Sequence, residues 1–293
     1  MERMPSPSAS VAVIGGSGLY SLFDPASSER HRIDTPYGPA DVTIGELGGR
    51  TVAFLTRHGA DHSVAPHLIN YRANIWALAS LGVKAILSSA AVGGVSPDYA
   101  PGTLVLTDQY IDRTWGRADT FYDGASTSSA DPAATDAAGV QHLASADPFD
   151  PALHAIAAAA LRDSGEHVVE TGTVVVIQGP RFSTRAESLW FRAAGAHTVN
   201  MTLYPEVPLA AELNIGTVNL SYVTDSDAGV APEEKVGEQL SAELVFARLK
   251  EAQPRIVAAI EAIVRALPDD YEPRTLIAPA AVAAVLGRAV RAS

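Results

Sequence analysis

Val11-Ala12-Val13-Ile14-Gly15-Gly16-Ser17-Gly18 is the stretch that decides the class of fold. Its first four residues form an unbroken apolar run of strand length. The glycines that follow let the chain turn sharply and let successive backbone N–H groups converge. The same grammar recurs along the chain. Thr51 to Thr56 runs into Arg57-His58-Gly59, and Ala85 to Ser89 runs into Ala90-Ala91-Val92-Gly93-Gly94. Gly172 to Ile177 leads to Gln178-Gly179-Pro180-Arg181, and Gly216 to Thr224 ends in Asp225-Ser226-Asp227. Apolar runs without alternation suit strands covered on both faces.

Helical patterns sit between these runs. Leu68 to Gly82 places Ile75, Leu78 and Ala79 on one stripe and stops at glycine, as do Ala152 to Gly165 and Arg185 to Gly195. From Ala242 to Leu267 a long helical pattern contains Pro254, which predicts a kink or a second helix there. Strands alternating with helices predict an α/β fold, a single domain with helices flanking a central sheet. Residues 1–10, with Pro5 and Pro7, read as a flexible N-terminus and 11–293 as the one domain. Gly116 to Pro151, rich in Ser, Ala, Asp and Thr, reads as a long surface loop.

Composition narrows the function classes. Of 293 residues 47% are hydrophobic and 18% charged, enough for a sizeable core and too apolar for disorder. The formal net charge of -12 argues against coating nucleic acid or binding an acidic membrane. Cysteine is absent, which excludes a disulfide framework, a zinc–thiolate site and a cysteine nucleophile. The N-terminus lacks the unbroken apolar stretch of a signal peptide, so a cytoplasmic protein is expected.

Ligands of α/β proteins gather at the carboxyl ends of strands, so the polar clusters there are read together. Gly15 to Gly18 is a backbone anion cradle with Ser17 as an added donor, or a plain turn; it lacks the lysine of a P-loop. Arginine matches a phosphate oxyanion best, and His58 beside Arg57 adds a donor or a titratable group. His58 and His62 also have metal-ligand spacing, but no glutamate completes the motif and Gly59 breaks the helix it needs. Asp225 and Asp227 lie two apart, on one side of an extended segment. Two close carboxylates push one pKa upward, so one can hold a proton as a general acid; a turn or a metal pair are the alternatives.

Taken in order, GGSGLY, RHG with NYRANIWAL, GPRFSTRAES, NMTLYPE and TDSDAG resemble the trimeric purine nucleoside phosphorylase family, and within it the members that act on S-methyl-5'-thioadenosine. The resemblance runs from Val11 to the helix after Asp227. It implies a twisted, mixed central β-sheet flanked by helices, a homotrimer, and phosphorolysis of a purine nucleoside, with inorganic phosphate as co-substrate and no metal or organic cofactor. It assigns Ser17, Arg57, His58, Thr202 and the backbone of Ala90 to phosphate, Met201 to the ribose and Phe182 to the base. Ser183, Asp225 and Asp227 would face the purine edge, Asp227 as the acid and Asp225 favouring adenine over a 6-oxopurine. His62, Ala242, Val245, Phe246 and His142, the last supplied by either its own or a neighbouring subunit, would line the 5' pocket. Arg57, His58 and the glycine-loop amides would together raise a local positive potential inside an acidic protein. A 6-oxopurine-preferring phosphorylase and, from another class, a dinucleotide-dependent oxidoreductase using the GGSG turn are the competing readings.

Overall fold

A computed structural model describes residues 8–59, 61–124, 139–228 and 241–290, and in it the opening run forms β1 (Val11–Gly15). Val11 and Val13 pack into one apolar cluster while Ala12 and Ile14 pack into another on the opposite face of the sheet. Both faces are therefore covered, as the unalternating run requires. On the first face lie α2 (Pro151–Asp163) and α5 (Ala242–Ala266); on the second lie α1 (Tyr71–Ser80), α4 (Leu203–Glu212) and α6 (Pro279–Leu286). A sixth helix, α3 (Arg185–Ala193), follows β9 (Thr173–Ile177). No described helix is long and apolar enough to cross a membrane.

Capping chemistry sets where helices begin. The Asn70 side chain accepts from Ala73 N at the start of α1, and Asp150 does the same for Leu153 N ahead of Pro151 in α2. Thr184 and Glu187 form a reciprocal capping box on α3.

The sheet is mixed and it branches. One path runs β2 (Glu29–Ile33), β3 (Ala40–Leu47), β4 (Arg50–Thr56), β1, β5 (Ala85–Gly94). From β5 the path continues either to β10 (Thr198–Asn200), β9 and β7 (Gln109–Arg113), or to β11 (Gly216–Ser226), β6 (Leu104–Thr107) and β8 (Val168–Val169). The pairings of β1 with β4 and β5, and of β5 with β11, are parallel; β10 meets β5 antiparallel. On one side β5 pairs with β1 only as far as Ser88 and meets β10 only at Gly93 and Gly94. On its other side β11 accompanies it throughout. Ser89 to Val92 thus have a strand on one edge and an opening on the other. That opening positions the site.

Three expectations are corrected. The segment Ala90 to Gly94, expected to leave the sheet, continues β5 because β11 runs beside it to Ser226. Helix α5 passes through Pro254 as one helix: its buried stripe, Leu249 and Ala252 before the proline and Ile256, Ile260 and Ile263 after it, is anchored in one core. The expected surface loop from Gly116 is no surface loop at its start. Phe121 is fully buried, and the Arg117 guanidinium donates to the carbonyls of Met201 (2.9 Å), Gln178 (3.0 Å) and Tyr204. Residues 125–138 of that loop and 1–7 of the expected flexible N-terminus lie outside the described residues. Ala9 is already buried and its N–H donates to Leu81 O.

Where β5 changes partners there is no room for a side chain. A Cβ on Gly94 would stand 2.2 Å from Tyr99 O, a backbone atom. Gly94→Ala is expected to lower unfolding free energy by about 1–3 kcal/mol, the range for overpacking, read from the midpoint of urea denaturation.

Candidate active site

The open edge of β5 faces a cavity of about 330 Å³, within the range for a small-molecule site. It is lined by Ser17, Arg57, His58, His62, Ala90, Phe182, Ser183, Met201, Thr202, Asp225, Asp227, Ala242, Val245 and Phe246. Fourteen of the fifteen sequence-derived site residues therefore share one space. The fifteenth, His142, is exposed and stands outside the cavity of its own chain.

At one part of this cavity the loop after β1 meets the end of β4. A Cβ on Gly16 would lie 2.4 Å from Ser89 O and 2.9 Å from Arg57 Nη1, so glycine is required for that contact. Gly18 has a left-handed φ of 84°. The Arg57 side chain is 1% exposed and bidentate on Glu206: Nε to Oε2 at 2.6 Å, Nη2 to Oε1 at 2.8 Å. Its Nη1 donates to Ser89 O at 2.9 Å, satisfying a carbonyl of the open edge. Burial alone would lower the arginine's pKa; the Glu206 carboxylate outweighs it and holds the guanidinium charged.

His58 is turned so that Nδ1 lies 2.9 Å from Val64 O. Burial, with Arg57 and His62 adding to it, pushes the imidazole down to about 4, so it is neutral at physiological pH. The expected positive potential is corrected here: His58 contributes no charge, and the charge of Arg57 is balanced by Glu206. What remains for an anion is directed N–H and O–H groups rather than net charge. His62 lies 4.4 Å from His58, ring centroid to centroid, and meets the edge of Phe246 at 5.1 Å. Its Nδ1 is 3.2 Å from the Tyr20 hydroxyl, and its φ of 58° is unusual outside glycine.

The acidic part of the cavity is built by a bulge in β11. The register with β5 slips between Val223 and Asp225, so Thr224 is the extra residue. Thr224 Oγ1 donates to Asp225 Oδ1 at 2.6 Å, and its carbonyl accepts from Arg248 Nη1 of α5 at 2.6 Å. Asp225 and Asp227 are 6% and 2% exposed, and both reach the Cβ direction of Gly93. Burial pushes the Asp227 carboxyl up from the ordinary range, against hydrogen bonds from Ser188 and the Ala228 N–H. Ser183 Oγ lies near enough to favour the ionised form but makes no well-aligned bond. Asn200 Nδ2 is likewise buried without a protein hydrogen-bond partner, and both residues line the cavity.

Sequence reading missed Glu206, Asn200, Ser188, Tyr20 and Arg117. Glu206 and Asn200 sit inside NMTLYPE, which reads on its own as loop before helix. Arg117 braces Gln178 and Met201, the two segments that carry Ser183 and Thr202, from far away in sequence.

A family model described as "Phosphorylase superfamily" matches residues 10–266. The chain is 48% identical to a purine nucleoside phosphorylase of Streptomyces coelicolor, over 79% of this chain and 81% of the other. It is 44% identical to an S-methyl-5'-thioadenosine phosphorylase of Mycolicibacterium smegmatis, over 86% and 91%. A methylthioadenosine phosphorylase of Schistosoma mansoni, solved in complex with adenine, superposes with a TM-score of 0.77 at 33% identity, covering 88% of this chain and 91% of that one.

Removing Glu206 leaves a buried guanidinium without a counter-charge. Glu206→Ala is expected to cost about 3–5 kcal/mol of stability, whereas the double replacement Arg57→Met with Glu206→Leu recovers only part of it, because the Ser89 carbonyl then loses its donor. Chemical denaturation of the three proteins checks both.

Proposed function

The chain belongs to the phosphorylase superfamily, and from that premise we propose that it catalyses phosphorolysis of S-methyl-5'-thioadenosine to adenine and 5-methylthioribose 1-phosphate. The observation that carries the reading is a single cavity joining the Arg57–His58 cluster, two buried carboxylates and an apolar wall. Inorganic phosphate is the co-substrate, and the reaction needs no metal or organic cofactor. Ser17, Arg57, His58, Thr202 and the backbone at Ala90 bind the phosphate; Met201 lies against the ribose and Phe182 against the base.

A phosphate oxygen attacks C1' while the C1'–N9 bond breaks, and its electron pair passes into the purine. Negative charge then builds on the base, so a proton supplied there lowers the barrier. Asp227 holds that proton, since burial favours its neutral form, and delivers it to N7. Asp225 accepts from the 6-amino group and selects adenine. The cavity wall of Ala242, Val245 and Phe246 suits a 5'-thioether, and other small 5' substituents also fit. Pocket contacts of this kind discriminate by about 1–3 kcal/mol per methylene-sized group.

The same reading makes the enzyme a cytoplasmic homotrimer in which His142 completes a neighbour's 5' pocket. The position of His142 outside its own cavity supports this. The purine nucleoside phosphorylase among its relatives makes 6-oxopurine substrates the control to run.

Adenine is expected only when phosphate is present, and inosine-type substrates are expected to react more slowly; a chromatographic substrate panel checks both. Asp227→Asn should lose about 10²–10⁴-fold in kcat, the span of general acid catalysis, with an unchanged circular dichroism spectrum. Because the protonated carboxyl is the active form, kcat/KM should be flat at low pH and fall as pH rises through the raised Asp227 pKa. An Asp227→Asn profile that keeps this limb would overturn the assignment.

A further inference from the structure

The hydrogen bond between His58 and Val64 fixes more than a ring orientation. A carbonyl oxygen carries only lone pairs, so an imidazole nitrogen held 2.9 Å from it must bear the hydrogen. A neutral imidazole has one N–H. With Nδ1–H spent on the loop backbone, Nε2 is a bare lone pair on a ring that lines the cavity. Such a nitrogen repels an oxyanion unless a proton lies between them.

Charging the ring to provide that proton is opposed by its surroundings. Arg57 precedes it in the chain and stays cationic through Glu206 of α4, while Tyr71 of α1 faces the same guanidinium. His62, held by Tyr20, lies tilted against the His58 ring with ring centroids 4.4 Å apart. Asp225 and Asp227 of β11 line the same cavity. Burial of the ring and its two cationic or potentially cationic neighbours all favour the neutral form.

We infer that His58 is a fixed hydrogen-bond acceptor toward the anion, so that the site selects an oxyanion that brings its own proton, hydrogen phosphate, over one that does not, sulfate. The inference rests on the phosphorolysis reading for its phosphate. The P–O–H group donates to Nε2 and no proton is transferred; the remaining oxygens take the N–H and O–H donors around them. Sulfate, aprotic near neutrality, can enter only with a proton taken up by the imidazole.

Two measurements on the intact protein test this. Sulfate is titrated as a competitor of phosphate in the phosphorolysis assay across pH about 6 to about 8. At the alkaline end sulfate should bind about ten- to a hundredfold more weakly than phosphate, the worth of one hydrogen bond to a charged group. Its inhibition constant should improve by about tenfold per pH unit as pH falls, the slope of one coupled proton. His58→Gln, whose amide offers a donor, should flatten that slope and narrow the gap. Calorimetry at about pH 8 in buffers of different ionisation enthalpy should report close to one proton taken up with sulfate and close to none with phosphate. Sulfate competing as well as phosphate at alkaline pH, a flat sulfate profile, or an unchanged slope in His58→Gln overturns the proposal. Adenine release without phosphate would instead sink the functional reading, and the calorimetric comparison would still decide the role of His58.

Discussion

A strand inside a sheet needs partners for its backbone on both edges, and β5 lacks one over Ser89 to Val92. Buried carbonyls cannot be left bare without a penalty of about 1–3 kcal/mol each. Here the Ser89 carbonyl is met by the Arg57 guanidinium, which arrives from the end of β4 and is itself held by Glu206 at the start of α4. An ion pair thus substitutes for a missing strand. The gap in the ladder is what makes a cavity possible in the middle of an otherwise continuous sheet, and the residue that fills the gap electrostatically also lines that cavity.

Everything else around the cavity is arranged to hold that geometry. The segment following β7 ties down both ends of α4. Arg117 grips the carbonyls of Met201 and Tyr204 at its start, and Thr120 and the Phe121 N–H satisfy the Glu212 carboxylate at its end. Tyr204 Oη adds a bond to Asp119. On the other side Arg248 pins the bulge of β11. The two functional regions, one rich in donors and one acidic, are therefore fixed by side chains that themselves stay largely out of the cavity.

The fold was legible where physics is local. Runs such as Val11 to Ile14 need cover on both faces, and Gly82, Gly165 and Gly195, each with positive φ, mark where α1, α2 and α3 have just ended. Edge and short strands were not legible: β2 is polar at four of its five positions and buries none of them, and β8 and β10 have two and three residues. Strand ends were likewise misjudged, since β5 is prolonged by a partner far along the chain. In the site, the side chains that face the ligand space were readable as clusters at strand ends. Their supports were not. Glu206 lies 149 residues from Arg57, and nothing local distinguishes it from a surface glutamate. Nor does any local pattern reveal that His58 Nδ1 faces the Val64 carbonyl.

Helix α5 divides its labour along its length. Its contribution to the cavity wall comes from the first turns, where Ala242 and Phe246 are exposed and Val245 half-buried, whereas the stripe that anchors it in the core begins at Leu249. Ala242 and Phe246 are thereby uncoupled from the stripe that keeps the helix in place, while Val245 belongs to both, lining the cavity and packing against the core. Drift at Ala242 and Phe246 can reshape this end of the cavity without drawing on the stability of the domain, so this is where closely related chains are free to diverge.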